Sequence, residues 1–386
     1  MGSKQEIEQK QRRKKQFAEM GIAISLLIVL SVLLPAVLPA FQLRLAGRFF
    51  ALAIVALGLD LIWGYTGLLS LGHGIFFALG GYALAMHLKL QLPEGQLPEF
   101  FTLYGVKELP LFWQPFHSFP VTLLAIFAIP GIVAGLLGYL VFRNRIKGVY
   151  FSILTQAALL VFFNLFNGQQ ELINGTNGLK TDTETIFGVL VSSDDAQKAF
   201  YVITIILLGL IYYLCRWLTS GRFGRLLVAI RDDETRVRFS GYDPTGYKVL
   251  VFAISGAIAG IAGALYTAQT GIITPSFMEV PFSIEMVIWV AVGGRATLIG
   301  AIIGTLLVQL ARTFLSGNFP EVWLFFQGAL FLIVVTVLPD GIVGWVKNQG
   351  WKDVFAWFGY RPRVQTYPSL EQDLEVIKEK QDILGE

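Results

Sequence analysis

Cysteine and charge are what this sequence has least of. A single cysteine, Cys215, excludes an intrachain disulfide framework and a multi-cysteine metal site. Charged residues make up 15% of the chain, against about 25% in soluble domains, while 54% of the residues are hydrophobic. This balance is typical of an integral membrane protein, and a net charge of +3 is too small to indicate a nucleic-acid partner.

Sequence motifs for catalysis are also absent. No Gly-Lys dipeptide occurs, so the chain has no phosphate-binding loop of the G-x-x-x-x-G-K-[ST] type. The three histidines form no H-E-x-x-H pair, and no serine stands in G-x-S-x-G. We therefore expect this chain to have no catalytic residue, no metal site and no cofactor of its own.

Apolar runs of membrane-spanning length occupy most of the chain. A helix needs about 20 apolar residues to cross the hydrocarbon core, and the runs predict an all-α integral membrane protein with about ten spans, some short or broken. The first run is interpreted as a retained span, because it is long for a signal peptide. The predicted spans are approximately 21–39, 46–64, 68–88, 120–142, 148–166, 199–218, 247–270, 283–294, 298–315 and 322–338.

Basic residues collect in every second connection between these spans. Because Lys and Arg of short loops favour the cytoplasmic side, the clusters at 12–15, 143–147 and 216–238 predict that both termini are cytoplasmic. The predicted organisation is a basic segment over 1–20, a transmembrane domain over 21–340 with a cytoplasmic loop at 219–246, and a cytoplasmic tail over 341–386.

Glycines predict close helix packing and at least one break. They recur four residues apart at Gly131 and Gly135, with matching pairs in 256–260 and 300–304, a spacing that lets helix backbones approach closely in lipid. Gly293 and Gly294 follow a short apolar run. We interpret them as a hinge between two spans.

Polar residues inside apolar spans are candidates for lining a translocation path, since such groups usually face the bundle interior or a water-filled cavity. Each has a structural alternative: Asp60 reaching toward the headgroups, His73 capping a helix end, or amides bonding neighbouring helices. The candidates are Asp60, Ser70, His73, Gln156, Asn164, Asn167 and Glu285.

The stretch GRFGRLLVAIRDDETRVRFSGYD, Gly221 to Asp243, is the densest charge cluster between apolar runs. Leu226, Ile230 and Val237 form a helical apolar stripe, and the spacing of Asp232 and Arg236 predicts an i,i+4 ion pair. Five arginines stand against four acids, whereas a membrane-binding helix is more one-sidedly basic. The mixed signs indicate docking against another protein.

Four ordered blocks resemble one family. GLLSLGHGIFFALGGYALA, GVYFSILT, GTNGL and GRFGRLLVAIRDDETRVRFSGYDPTGYKVLVFAISGAIAGIAGALY look like the membrane subunits of branched-chain amino acid ABC importers. The late segment GNFPEVWLFFQGALFLIVVTVLPDGIVG looks most like the permease C subunit of the urea-importer branch. Where the family often has Gly-Gly-x-Gly-Thr-Leu, this chain has Ala296 at the fourth position, which suggests that smallness is what the position requires.

The resemblance implies a transport subunit of the bacterial plasma membrane, not an enzyme. Its implied partners are a second homologous permease, two ATPase subunits that bind the ATP and magnesium, an extracytoplasmic solute-binding protein and the lipid bilayer. The resemblance also implies a cytoplasmic loop that couples to an ATPase. The coupling residues are Arg225, Ala229, Ile230, Arg231, Asp232, Asp233 and Glu234 from the resemblance, with Arg236 added from the ion-pair spacing.

We therefore expect a permease subunit that moves urea, or a related small polar solute, by alternating access. The alternative within the family is a branched-chain amino acid permease, which would need paired charges or helix ends to hold a zwitterion. A stand-alone passive channel, a secondary transporter or a membrane scaffold are alternatives of other classes.

Overall fold

The computed structural model describes residues 29–93, 96–319, 323–337 and 341–347. The chain divides into two compact units, Met1–Gly344 and Trp345–Glu386, and the account below concerns the first. The predicted basic segment over 1–20, the first part of the first predicted span and the tail beyond 347 lie outside the described residues.

Helices account for most of the described chain. Residues 29–37 are helical, and short 3-10 turns occupy Gln114–His117, Gly175–Asn177 and Pro275–Met278. The α-helices that follow are α1 Ala40–Thr66, α2 His73–Lys89, α3 Glu99–Leu103, α4 Phe119–Arg143, α5 Val149–Gly168, α6 Gln170–Ile173, α7 Asp194–Ser220, α8 Arg222–Phe239, α9 Pro244–Thr270, α10 Val280–Gly293, α11 Leu298–Asn318, α12 Trp323–Val337 and α13 Gly341–Lys347.

Six of these helices, namely α1, α4, α5, α7, α9 and α11, are long and apolar enough to cross a membrane. This confirms a helical, multi-pass membrane architecture. Helices α2, α10 and α12 coincide with predicted spans but are shorter than these six helices, and α10 has only 14 residues. The total of about ten crossings and the side on which the termini lie stay predictions.

Four strands of two residues each are an addition that the all-α prediction did not contain. Strand β1, Leu179–Lys180, pairs antiparallel with β4, Ile272–Ile273, and β2, Thr185–Ile186, forms a hairpin with β3, Val189–Leu190. Two-residue strands leave no periodic signal in a sequence. The β1–β4 pair fastens the segment before α7 to the end of α9.

Helices α1 and α9 form the centre of the bundle. In their apolar windows 83% and 61% of residues are buried, compared with 22% in α5. Glycine allows this packing: a Cβ on Gly260 would lie 2.3 Å from the Ile126 carbonyl oxygen, and one on Gly300 would lie 2.6 Å from that of Gly293. The prediction that the spaced glycines pack helices together is confirmed.

The connection between the predicted spans 46–64 and 68–88 is a non-helical break, residues 67–72, between α1 and α2. Helix α5 satisfies its backbone: Ser152 donates to the Leu69 carbonyl oxygen at 2.6 Å, and the Leu71 amide donates to Thr155 Oγ1 at 3.0 Å. Because irregular backbone survives at membrane depth only when protein buries it, these hydroxyls explain how the break is tolerated.

The two ends of the bundle are distinguished by their contacts. At one end, Arg44 pairs with Asp194 at 3.7 Å and Lys89 pairs with Glu184 at 2.6 Å. At the other end, here called the α8 end, Lys147 of the α4–α5 turn pairs with Glu234 of α8 at 3.1 Å. The basic clusters at 143–147 and 216–238, which the sequence predicts to lie on the same side, thus do lie at the same end of the bundle.

Candidate functional site

Helix α8 is broken in its second half. Asp233 has extended dihedrals, φ −156 and ψ 96, inside the helix, and its Oδ1 accepts hydrogen bonds from the amides of Thr235 at 2.9 Å and Arg236 at 3.2 Å. Asp233 thus caps a helix that begins again after it, as Asp does at many helix starts. We call Arg222–Asp232 the first arm and Glu234–Phe239 the second arm.

The break of α8 at Asp233 shows that the predicted ion pair of Asp232 with Arg236 is wrong. Instead Arg236 pairs with Asp233 at 2.9 Å, and Asp232 accepts from Arg231 at 3.2 Å. An i,i+4 contact needs an unbroken helical turn between its partners. The dihedral change at Asp233 removes that turn.

The eight residues predicted to couple to an ATPase lie on different faces of α8. Ile230 and Glu234 are buried, at 3% and 9% exposure, and therefore point into this chain. Leu227 and Val237 share their buried face, whereas Leu226, predicted for the stripe, is half-buried. Asp233 is also half-buried, and the outward-facing residues are Arg225, Ala229, Arg231, Asp232 and Arg236.

Phe239, at the end of the second arm, is a surface feature that the sequence reasoning missed. It is 87% exposed, and Tyr242 beyond it is 52% exposed. Both belong to the charged stretch quoted above, and the signal for Phe239 is an aromatic ring directly after Arg238. Exposed aromatic side chains next to arginine are typical of interface anchors.

Arg231 fastens the first arm to α1. Its Nη1 donates to the Gly64 carbonyl oxygen at 2.9 Å, near the end of α1 where few backbone carbonyls have helical partners. The turn at Gly67, which has a positive φ of 73, lies against the Arg231 side chain. The Arg231 side chain is therefore exposed at the surface and also bonded to α1 of its own chain.

Asp60 lies one turn before Gly64 and is fully buried. Its Oδ1 accepts a hydrogen bond from the Ala296 amide at 2.6 Å, so it does not reach toward the headgroups, which was the structural alternative. Tyr65 adds a bond from its hydroxyl to the Ala296 carbonyl oxygen at 3.4 Å. The end of α1 thus joins α8 to the α10–α11 turn.

Gly293 and Gly294 do end α10, as predicted, and Gly294 has φ 113. Ala296, two residues later, has φ 61. This corrects the interpretation that its position requires only a small side chain, because a left-handed conformation favours glycine on backbone grounds. That the chain bends at Gly293 and Gly294 as a hinge stays a prediction.

Glu234 turns inward from the second arm and meets three cations. Its Oε2 accepts from Lys248 Nζ at 2.7 Å and pairs with Lys147 Nζ at 3.1 Å, while Oε1 accepts from Arg238 Nη2 at 2.9 Å. Burial by itself raises the pKa of Glu234, but the hydrogen bonds from these cations outweigh it and hold the pKa at about 2. The carboxylate is therefore charged at neutral pH.

Two of the predicted path residues make local contacts. Ser70 Oγ accepts from the Gly72 amide at 3.3 Å within the break. His73 is the first residue of α2, but no side-chain hydrogen bond caps that helix start, so the alternative of a capping histidine is wrong. Its Nε2 lies 2.7 Å from Ser255 Oγ of α9. Both side chains are 1% exposed.

The three amides of α5 lie outside the face on which this helix packs against other described residues. Asn164 is exposed and donates to the Leu160 carbonyl oxygen of its own helix at 2.8 Å, and Gln156 and Asn167 are half-buried. The packed face of α5 consists of Phe151, Ser152, Thr155 and Leu159. None of the three amides belongs to that packed face.

Glu285 of α10 is buried and forms an ion pair that the sequence reasoning missed. Arg312 of α11 donates through Nη1 to both carboxylate oxygens, at 2.7 and 2.8 Å. The Arg312 side chain is 45% exposed, although it lies on an apolar helix long enough to span a membrane. Its separation of 27 residues from Glu285 is the reason no local pattern revealed it.

These features define a multi-pass membrane protein with a charged, interrupted helix fastened to the same end of several spans. Among the described residues no group of three or more His, Cys, Asp or Glu could hold a metal ion. A family model described as "Branched-chain amino acid transport system / permease component" matches residues 41–335. The chain belongs to that family, and it is a transport permease rather than an enzyme.

Curated relatives agree with this assignment. The chain is 27% identical over 348 residues to the high-affinity branched-chain amino acid transport system permease protein LivM of Salmonella typhimurium, covering 84% of this chain and 75% of the relative. It is 24% identical over 310 residues to the corresponding permease protein BraD of Pseudomonas aeruginosa, covering 76% and 91%. No solved structure matches the chain.

Proposed function

We propose that this chain is one permease subunit of an ABC importer for branched-chain amino acids in the bacterial plasma membrane. The observation that carries the substrate class is the agreement of the family model with the relatives, whose printed names specify branched-chain amino acid transport. The urea transport that we expect from the sequence receives no support from these relatives, so urea is the competing substrate.

The ion pair of Glu285 with Arg312 is a second observation in favour of a zwitterion. Charged residues within membrane spans are costly and are usually retained for a substrate path or a partner. A half-exposed arginine beside a buried carboxylate meets the requirement for paired charges that an amino acid imposes and that neutral urea does not.

The proposed assembly has a second permease, ATPase subunits and an extracytoplasmic solute-binding protein. With about ten spans and both termini inside, the α8 end is cytoplasmic and the outward residues of α8 dock on an ATPase, which binds the ATP and magnesium. The exposed Asn164 and the half-buried Gln156 and Asn167 of α5 then face the second permease or the path between the two subunits, since polar groups on a span avoid lipid.

Uptake by the reconstituted complex tests the substrate. Proteoliposomes that contain the permeases, the ATPases and the binding protein are supplied with labelled leucine or labelled urea, with and without internal ATP. We expect ATP-dependent leucine uptake that urea in excess does not reduce. ATP-dependent uptake of urea alone would reverse the substrate assignment, and uptake by this chain without ATP would indicate a passive channel or a secondary transporter.

A further inference from the structure

Glu234 connects three segments of the chain at the α8 end. Its partners belong to the α4–α5 turn through Lys147, to its own second arm through Arg238, and to the start of α9 through Lys248. Helix α9 packs along α1, α2 and α4 in the centre of the bundle. One carboxylate thus joins the surface helix to the bundle centre.

The contact with Lys248 is the most enclosed of the three. The Lys248 side chain is 5% exposed, compared with 49% for Lys147 and 31% for Arg238. Its Nζ also lies 5.6 Å from the centre of the Phe142 ring at the end of α4. A buried ammonium left without its carboxylate carries a large desolvation cost, so the second arm and α9 are held together strongly.

The two arms of α8 make their polar contacts with different helices. The first arm bonds to α1 through Arg231 and Gly64, and the second arm bonds to α9 through Glu234 and Lys248. The contact of the first arm with α9 is between rings, with the Phe223 and Tyr247 centroids 6.1 Å apart. The extended dihedrals of Asp233 lie between these fastenings. A displacement of the second arm therefore reaches α9 without passing through the first arm.

We propose that Glu234 is a positioning residue that transmits the movement of α8, through Lys248, to α9 and the α4–α5 turn during transport. This inference rests on the proposed function, because it assumes that an ATPase moves α8. Glu234 is buried against cations of its own chain, so its contribution is a charged connection between the docking surface and the membrane helices.

The test uses the whole complex and compares basal with substrate-stimulated ATPase activity. In Glu234→Gln, we expect complex assembly and basal activity to persist and the stimulated-to-basal ratio to fall by about tenfold or more, as expected when a buried ion pair loses one charge. Asp243→Asn is the matched control: it also removes one carboxylate near α8, but asparagine caps the start of α9 equally well. We expect the control to couple normally.

A double variant separates coupling from folding. Glu234→Met with Lys248→Met replaces the enclosed pair by apolar side chains of similar size, a change that often preserves stability. We expect this variant to assemble, to retain basal activity and to lose stimulation. Normal stimulation in either variant overturns the proposal, and so does failure of both variants to assemble, since the cluster would then serve folding alone.

Measurements on the wild-type complex separate an error in the role of Glu234 from an error in the proposed function. If leucine and the binding protein stimulate wild-type ATPase activity while Glu234→Gln responds equally, only the role of Glu234 is wrong. If the wild-type complex shows no stimulation by leucine, the proposed function itself is wrong.

Discussion

The Asp60 carboxylate of α1 accepts a hydrogen bond at 2.6 Å from the backbone amide of Ala296, a residue 236 positions later in the chain. Gly64, one turn after Asp60, offers its carbonyl oxygen to Arg231 of α8. The end of α1 is therefore the place where the α10–α11 turn and the charged surface helix come together. Four predictions follow from this region and from α8.

Gly64→Ala should weaken the junction. A Cβ at this position would lie 2.4 Å from the Ala296 amide nitrogen and 2.6 Å from Asp60 Oδ1, so backbone has to shift. We expect a loss of about 1–3 kcal/mol of stability, as for other overpacked sites. Thermal unfolding of the purified protein measures it. Gly135→Ala, whose Cβ would meet Ala253 at an ordinary 3.6 Å, is the control; equal stability of the two variants would contradict the tight contact.

Ala296→Gly should stabilise the α10–α11 turn. Ala296 has φ 61, a conformation that costs an L-residue roughly 1–2 kcal/mol and glycine almost nothing. Because glycine also gains freedom in the unfolded chain, the expected net gain is at most about 1 kcal/mol. Thermal unfolding again provides the measurement. The same exchange at Ala158, inside α5, should destabilise by about 1 kcal/mol; a loss at both positions would argue against strain at Ala296.

Phe239→Ala and Arg236→Glu should release the ATPase subunits. Both side chains are exposed on the second arm, and truncating an aromatic anchor commonly costs more than about 1 kcal/mol of binding. The amount of ATPase that co-purifies with the permease is the readout. As the control, Phe314→Ala changes a ring that is also exposed, at 70%, on the apolar helix α11. Retention of ATPase by the α8 variants, or its loss in the α11 variant, would move docking away from α8.

Acid should remove the stabilisation that Glu234 provides. Its pKa lies at about 2 in the folded protein, below the ordinary 4.5, so the stabilisation is complete above pH 4.5 and is lost as the pH falls toward 2. The stability difference between wild type and Glu234→Gln is therefore expected to be flat at neutral pH and to shrink in acid. Thermal unfolding over a pH series checks this. A difference that already shrinks between about pH 7 and pH 6 would mean that Glu234 is not held by its cations.

Much of the architecture was predictable because membrane spans leave a strong local signal. Composition and apolar runs identified a helical membrane protein, and the helices α1, α2, α4, α5, α7 and α9 to α12 lie close to predicted spans. The spaced glycines indicated close helix packing, and the basic clusters at 143–147 and 216–238 do share one end of the bundle. The family resemblance was confirmed, while its narrower urea assignment found no support.

The site was predictable only as a set of residues. The sequence marked Asp60, Glu234 and Glu285, but it gave no partner for any of them, because Ala296, Lys248 and Arg312 are distant along the chain. It also placed all eight coupling residues together, whereas the structure turns Ile230 and Glu234 inward. A change of dihedrals at one residue, Asp233, was sufficient to replace the predicted ion pair.

The sequence by itself thus determined the class of protein, the approximate membrane helices and the location of the charged surface helix, since each depends on hydrophobicity and charge within one stretch of chain. Only the tertiary structure decided which polar groups are satisfied and by what. Burial makes those pairings energetically important, and burial is set by neighbours that the fold brings from far along the chain.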